Sequence, residues 1–243
     1  MTTFRTQILT CNHCAHRMFT YELSSYHVHS SEVYTDGYID YNPPISFNPN
    51  VLICSNCLMP MWREDINIEE MDHNTPEAEL DQSKDVYDLE QSKLNYAYNI
   101  AKYYSELIKD GFANTVSREI TLRIEIWHLL NNNYRFAHPN ILTLVIHGNF
   151  KRAVHLYKNL NQNKLEDRLT ADLFKKNIIQ LINIFKPEDE EEKLLLAEMY
   201  RENRNYQKSR VLLKEIKHLT KTRAYRVINS AAKRRKSRVI KVN

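Results

Sequence analysis

A chain of 243 residues with 42% hydrophobic content is long enough to bury a core, which excludes disorder along its whole length. Its net charge of +4 is lopsided: residues 221–243 hold nine Lys and Arg and no acid, leaving 25 basic against 30 acidic residues, a net −5, in the rest. Only three glycines, Gly37, Gly111 and Gly148, serve all the turns, which disfavours an all-β fold and suits tightly connected helices.

The first residues, MTTFRTQILT, lack the basic start and apolar run of a secretory signal. No later stretch approaches the ~18 apolar residues of a membrane span, so a cytoplasmic protein without membrane association is expected. In a reducing compartment cysteines serve more often as metal ligands or catalytic thiols than as disulfides.

Residues 5–62 are rich in Tyr, Val, Ile and Thr, with Asn-Pro breaks at Asn42-Pro43 and Asn48-Pro49, and read as short strands and loops. All four cysteines fall here, as Cys11-Asn-His-Cys14 and Cys54-Ser-Asn-Cys57. Each pair sets two thiolates at the ends of a tight knuckle, and two knuckles supply the four soft ligands that tetrahedral zinc prefers. The expectation is one structural Zn2+ per chain on Cys11, Cys14, Cys54 and Cys57, with the strand-like flanks Thr6 to Thr10 and Asn50 to Ile53 forming hairpins around the knuckles. Redox chemistry at either CxxC and a catalytic metal are the alternatives, and His13 or His16 could replace a cysteine. Thirty-nine residues separate Cys14 from Cys54, so the ribbon carries an inserted loop.

Within that insert His27 and His29 alternate on a strand and face the same side, as a ligand pair would. Asp36-Gly37 reads as ordinary turn chemistry, and Tyr26, Tyr34, Tyr38 and Tyr41 as packing against the ribbon with their hydroxyls wet. From Glu64 to Glu90 eleven Asp and Glu appear without an apolar period, which reads as a linker.

Beyond Leu94 the period becomes helical. Leu94 to Ile108 makes the first helix, ended by Gly111. The second runs from an N-cap at Ser117 to the Asn131-Asn132-Asn133 break, the third from Pro139 to Gly148 and the fourth from Phe150 to Leu160. A fifth spans Leu165 to Phe185. In the sixth, about Glu190 to Asn203, the run Glu188 to Glu192 faces the positive end of the helix dipole and reads as a cap, not a metal site. The seventh covers about Tyr206 to Leu219. Leu196-Ala197, Tyr200, Tyr206, Ser209, Leu213 and Ile216 follow the tetratricopeptide alternation of large, small and aromatic residues, as do Phe150, Ala153, Tyr157 and Leu160 in the earlier pair. The two units lie 56 residues apart, so the expected array is irregular and TPR-like.

The fold expected is mainly α: a small N-terminal β zinc-ribbon module over residues 1–63, an acidic linker over 64–90, a TPR-like helical-hairpin array over 91–220 and a basic tail over 221–243. The pattern CNHC, then Phe19, Asp36, Tyr41, Pro43 and Val51 leading into CSNC, with helical hairpins behind it, resembles the bacterial domain-of-unknown-function family 2225. That likeness implies a split zinc ribbon followed by a helical-hairpin domain, and implies no particular activity.

No Ser-His-Asp order, Gly-rich phosphate loop or His-Glu-x-x-His helix is visible, so the chain is expected not to be an enzyme. The leading expectation is an adaptor whose helical repeats take a protein partner. The alternative is nucleic-acid binding through the ribbon and the tail cations Lys233, Arg234, Arg235, Lys236 and Arg238, although a terminal charge run is more often a solvated helix end.

Overall fold

Two cysteine pairs make the turns of two β-hairpins. The computed structural model describes residues 3–42, 49–71, 77–85, 96–135 and 164–242. The chain divides into one compact unit of Met1–Ser31 with Asp40–Tyr96 and a second of Glu32–Ile39 with Ala97–Asn243. Among the described residues no helix is long and apolar enough to cross a membrane.

In the first unit β1 (Thr3–Thr10) and β2 (Arg17–Ser25) pair antiparallel, Thr10 opposite Arg17, with Cys11 to His16 as the turn. β3 (Ser30–Val33) pairs with β4 (Ile39–Asn42), and the tip of that hairpin, Glu32–Ile39, belongs to the second unit. β5 (Val51–Ile53) and β6 (Pro60–Trp62) form the second cysteine hairpin, Ile53 opposite Pro60. β7 (Asn67–Glu70) adds to β1, β8 (Asp81–Gln82) adds in parallel to β2, and β9 (Lys84–Asp85) adds to β5. The acidic segment expected as a linker therefore supplies three edge strands. Backbone pairing needs no apolar period, and the exposed carboxylates of β7 only have to face water.

The second unit contains, among the described residues, α1 (Tyr96–Lys109), α2 (Val116–Arg135), α3 (Lys164–Ile184), α4 (Glu190–Glu202), α5 (Tyr206–Glu215) and α6 (Arg223–Lys233). The expected hairpin from Pro139 to Leu160 lies outside the described residues. Helix α4 is central. Leu196 and Met199 pack with Trp127 of α2 and Ile178 and Leu181 of α3, while Ala197 joins Leu213 and Ile216 beside α5 and Ile228 and Ala232 of α6. A helix buried on both faces cannot be amphipathic in the ordinary sense. Its termini are firm: Asp189 accepts from the Glu192 amide at 2.8 Å, and Glu192 reaches back to the Glu188 amide at 2.7 Å.

The structure departs from three expectations of the sequence. Helix α2 is capped by Thr115, whose hydroxyl accepts from the Arg118 amide, and it runs through the three asparagines to Arg135. Asn131 carries the helix on because its side chain is consumed inside, donating to Asp36 at 2.8 Å and to Glu202 at 3.1 Å. Asp36 stands in the expected turn, but its carboxylate serves more than the turn. It is buried, ion-paired with Arg135, and sits in the helical unit with the rest of the hairpin tip Glu32–Ile39. Tyr34 and Tyr38 accordingly face Arg135 within the helical unit, its guanidinium lying 5.4 and 4.0 Å from their ring centres. Finally, residues 221–243 are no solvated tail: α6 buries Ile228, Ala231 and Ala232, and Val239 and Val242 are buried beyond it.

Arg135 has no exposed side-chain surface, so Asp36→Ala should strand a buried cation and cost the helical unit about 3–5 kcal/mol, read from urea unfolding followed by helical circular dichroism. Glu202, fully buried with Glu198 and Asp36 near it, has its carboxyl held well above the usual range, first by burial and then by those charges. The folded state therefore favours its protonated form. Stability should be full below the ordinary carboxylate value and fall as pH rises toward the raised one, and Glu202→Gln should flatten that fall in a pH series of melting temperatures.

Candidate metal centre

The two knuckles repeat one backbone. In the first, the Cys11 amide donates to the His16 carbonyl at 2.9 Å and the Ala15 amide to the Cys11 carbonyl at 2.9 Å. In the second, Cys54 donates to Met59 at 3.1 Å and Leu58 to Cys54 at 3.0 Å. The residue after each pair turns left-handed, Ala15 at φ 56° and Leu58 at φ 59°, although neither is glycine. Non-glycine residues pay about 1–2 kcal/mol there, a cost the closed knuckle must offset.

The sulfurs converge from both hairpins. Cys11 Sγ lies 3.8 Å from Cys57 Sγ, Cys14 Sγ lies 3.7 Å from Cys54 Sγ, and all four fall within 4.8 Å of one another. A disulfide would need about 2.05 Å, so these are four separate thiols. A tetrahedron with Zn–S bonds of ~2.3 Å has an edge of about 3.8 Å, which the two short separations match. The four cysteines could therefore hold one metal ion.

Backbone amides prepare the sulfurs for negative charge. His13 donates to Cys11 Sγ at 3.4 Å, and the Asn56 side-chain amide reaches Cys14 Sγ at 3.6 Å. The His16 amide leads in pulling the exposed Cys14 thiol down to about 6, against a little burial. Burial pushes Cys54 up to about 12, over the opposing amides of Cys57 and Asn56. A cation at the centre would remove that penalty, since a metal-bound thiol is deprotonated outright. Beneath the sulfurs Leu9, Met18, Leu52, Met61 and Ile66 make the unit's apolar core, and Cys11 and Cys54 are part of it. His13 contributes its backbone, and His16 Nε2 lies 2.9 Å from Asp81 Oδ2, so neither histidine joins the cluster of four cysteines. His27 and His29 meet edge to face, with ring centres 5.2 Å apart.

The tail cations take a different place from the expected solvated run. Lys233, Arg234, Arg235, Lys236 and Arg238 are exposed, but their backbone is held. The buried Arg201, paired with Glu198, donates to the carbonyls of Lys236 and of Arg238, the latter at 2.9 Å. Two clefts flank α6. One, of about 550 Å³, is lined by Arg223, Arg226, Arg234 and Lys236 among others; a second, of about 870 Å³, by Arg204, Arg210, Lys214, Lys233 and Arg235. Among the described residues no Asp or Glu lines either cleft. Sequence reasoning missed Arg204, Arg210, Lys214, Arg223 and Arg226 as members of this surface, because they are spread over 23 positions and only folding gathers them.

Reduced protein should carry one metal ion per chain by elemental analysis, and Cys54→Ala should lose it together with the β signal of the first unit, while helical circular dichroism persists. Comparisons with protein-family models, with curated proteins and with solved structures return no match to this chain.

Proposed function

We propose that this protein is a non-enzymatic binding protein of the cytosol, in which a structural Zn2+ holds the first unit together and the helical unit binds nucleic acid through its phosphates. Zinc is the preferred ion because four thiolates at tetrahedral spacing suit it and complete its shell, with no position left for substrate. A structural ion of this kind supplies folding free energy and no chemistry.

The observation that carries nucleic-acid binding is the charge around α6. Nine exposed cations line its two clefts, none of the nine has an ion pair among the described residues, Glu198 and Glu202 are buried, and the one exposed carboxylate of α4 to α6 close to the clefts in sequence, Glu215, is not among the residues that line them. The concentrated positive charge of nine cations gains affinity for a polyanion by releasing the polyanion's counterions. The net −5 of residues 1–220 then matters less than where the charges stand.

A protein-binding adaptor is the second reading. Its support is the hairpin of α4 and α5, where the small residues Ala197 and Ser209 are fully buried as a TPR-like crossing requires. The likeness to domain-of-unknown-function family 2225 would fit either reading, since it bears on architecture alone.

The zinc-loaded protein should bind a short single-stranded RNA or a duplex DNA at physiological salt with a steep salt dependence, measured by fluorescence anisotropy. Replacing Arg223, Arg226, Arg234 and Lys236 together by Gln should weaken binding by about tenfold or more without lowering the melting temperature. Salt-independent binding, or none, would favour the adaptor, which affinity capture with and without nuclease would then pursue.

A further inference from the structure

Three helices of the second unit end in the same hydrogen-bonded motif, and the residue at its left-handed position differs. In α1 that residue is Gly111 at φ 79°: its amide donates to Ile108 at 3.2 Å and the Phe112 amide to Leu107 at 3.0 Å. Helix α4 repeats the pattern with Arg204 at φ 59°, which donates to Arg201 at 3.0 Å while Asn205 donates to Tyr200 at 2.8 Å. Helix α6 repeats it with Arg235 at φ 54°, which donates to Ala232 at 3.3 Å while Lys236 donates to Ala231 at 3.0 Å. Glycine is the residue this position favours, and an arginine there carries a steric cost.

The helix dipole does not account for the choice. A cation at a helix C-terminus is favourable, but Arg201 already stands in the last turn of α4 and Lys233 in that of α6, both in ordinary helical geometry. What the two left-handed arginines share is a place: both line the larger cleft beside α6. Arg210, Lys214 and Lys233 complete its charge, and Tyr206 offers a half-buried ring. A residue held in an unfavourable backbone region at a concave, uniformly charged site points to a functional demand.

We infer that Arg204 and Arg235 are phosphate-contacting residues of a nucleic-acid groove, and that Tyr206 stacks a base within it. This rests on the nucleic-acid reading above and assigns these particular contacts to the larger cleft, the cations of the smaller one adding to the attraction. Both arginines line the same cleft from left-handed positions at helix ends, and a guanidinium can take a phosphate with two parallel hydrogen bonds. A flat lipid surface does not enter a concavity, and of the described residues lining this one only Val211 and Ala232 are aliphatic, too few to anchor an acidic peptide. A sequence-tolerant single strand, with phosphates on arginine and a base on an aromatic ring, fits that chemistry best.

The test uses the full zinc-loaded chain and a labelled single-stranded RNA, with duplex DNA and polyglutamate as comparisons. Arg204→Gly with Arg235→Gly should raise the melting temperature, because glycine relieves the backbone, and should lower RNA affinity while the slope of log affinity against log salt shrinks by about 1.4, two contacts at ~0.7 each. Arg168→Ala with Lys176→Ala removes the same charge from exposed positions on α3, neither of which lines a cavity with Arg204 or Arg235, and should leave both affinity and slope near wild type. Tyr206→Leu should weaken RNA binding at unchanged salt slope. If RNA binds but the glycine pair behaves like the α3 pair, the groove assignment fails while the nucleic-acid reading stands. A glycine pair that melts lower would refute the argument from backbone cost. Polyglutamate binding as tight as RNA would replace nucleic acid by polyanions in general. No binding of RNA or DNA by the wild type would overturn the functional reading itself.

Discussion

A guanidinium with no exposed surface must be paired, and around Arg201 that requirement organises the helical unit. Arg201 lies in the last turn of the central helix α4, held by Glu198 one turn earlier and near Glu202, and it donates outward to the backbone of Lys236 and Arg238. Removing a buried charge's partner costs several kcal/mol, so carboxylates, guanidinium and loop form or fail together. Burial works against the charge on Arg201, and the hydrogen bonds and charge of Glu198 override it. Glu202 takes the opposite course and stays protonated more readily, which spares the cluster a surplus negative charge.

The same arrangement separates charge by sign. Asp36, Glu198 and Glu202 are spent inside, on Arg135, Arg201, Asn131 and the indole N–H of Trp127, which donates to Glu202 at 2.7 Å. The cations of the two clefts beside α6 are left to face water, and the exposed Glu215 at the end of α5 is not among the residues that line either cleft. A chain whose acids and bases nearly balance thus presents a one-signed surface over one part of itself, and such a surface, not net charge, sets the attraction for a polyanion.

The parts of the fold set by local chemistry were readable in the residue order. Spacing alone brought out the four cysteines, because a CxxC knuckle is a local geometry and two of them have few other uses. The cap at Asp189 to Glu192, the end of α1 at Gly111 and the extents of α3 and α4 were equally local. What escaped was set by distant partners. Asp36-Gly37 has the form of a turn and is one, yet its carboxylate meets Arg135, 99 positions away. Asn131 reads as a helix breaker until Asp36 and Glu202 consume its side chain. The acidic run after Glu64 has no apolar period because edge strands such as β7 need only backbone partners. The basic end of the chain looked solvated because its buried residues, Ile228, Ala231, Ala232, Val239 and Val242, are diluted by nine cations.

Whether that basic end is a folded part of the helical unit is what the functional account depends on. In the structure the Ile240 amide donates to the Thr35 hydroxyl at 3.0 Å and the Val242 amide to the Val33 carbonyl at 2.7 Å, so the hairpin tip and the chain end hold each other. Amide hydrogen exchange at these two positions tests this directly. Slow exchange at both, comparable with the amides of α4, is the result expected of a surface rigid enough to present its cations in a fixed pattern. Exchange at the rate of a free peptide would contradict it and return residues 234–243 to a solvated tail.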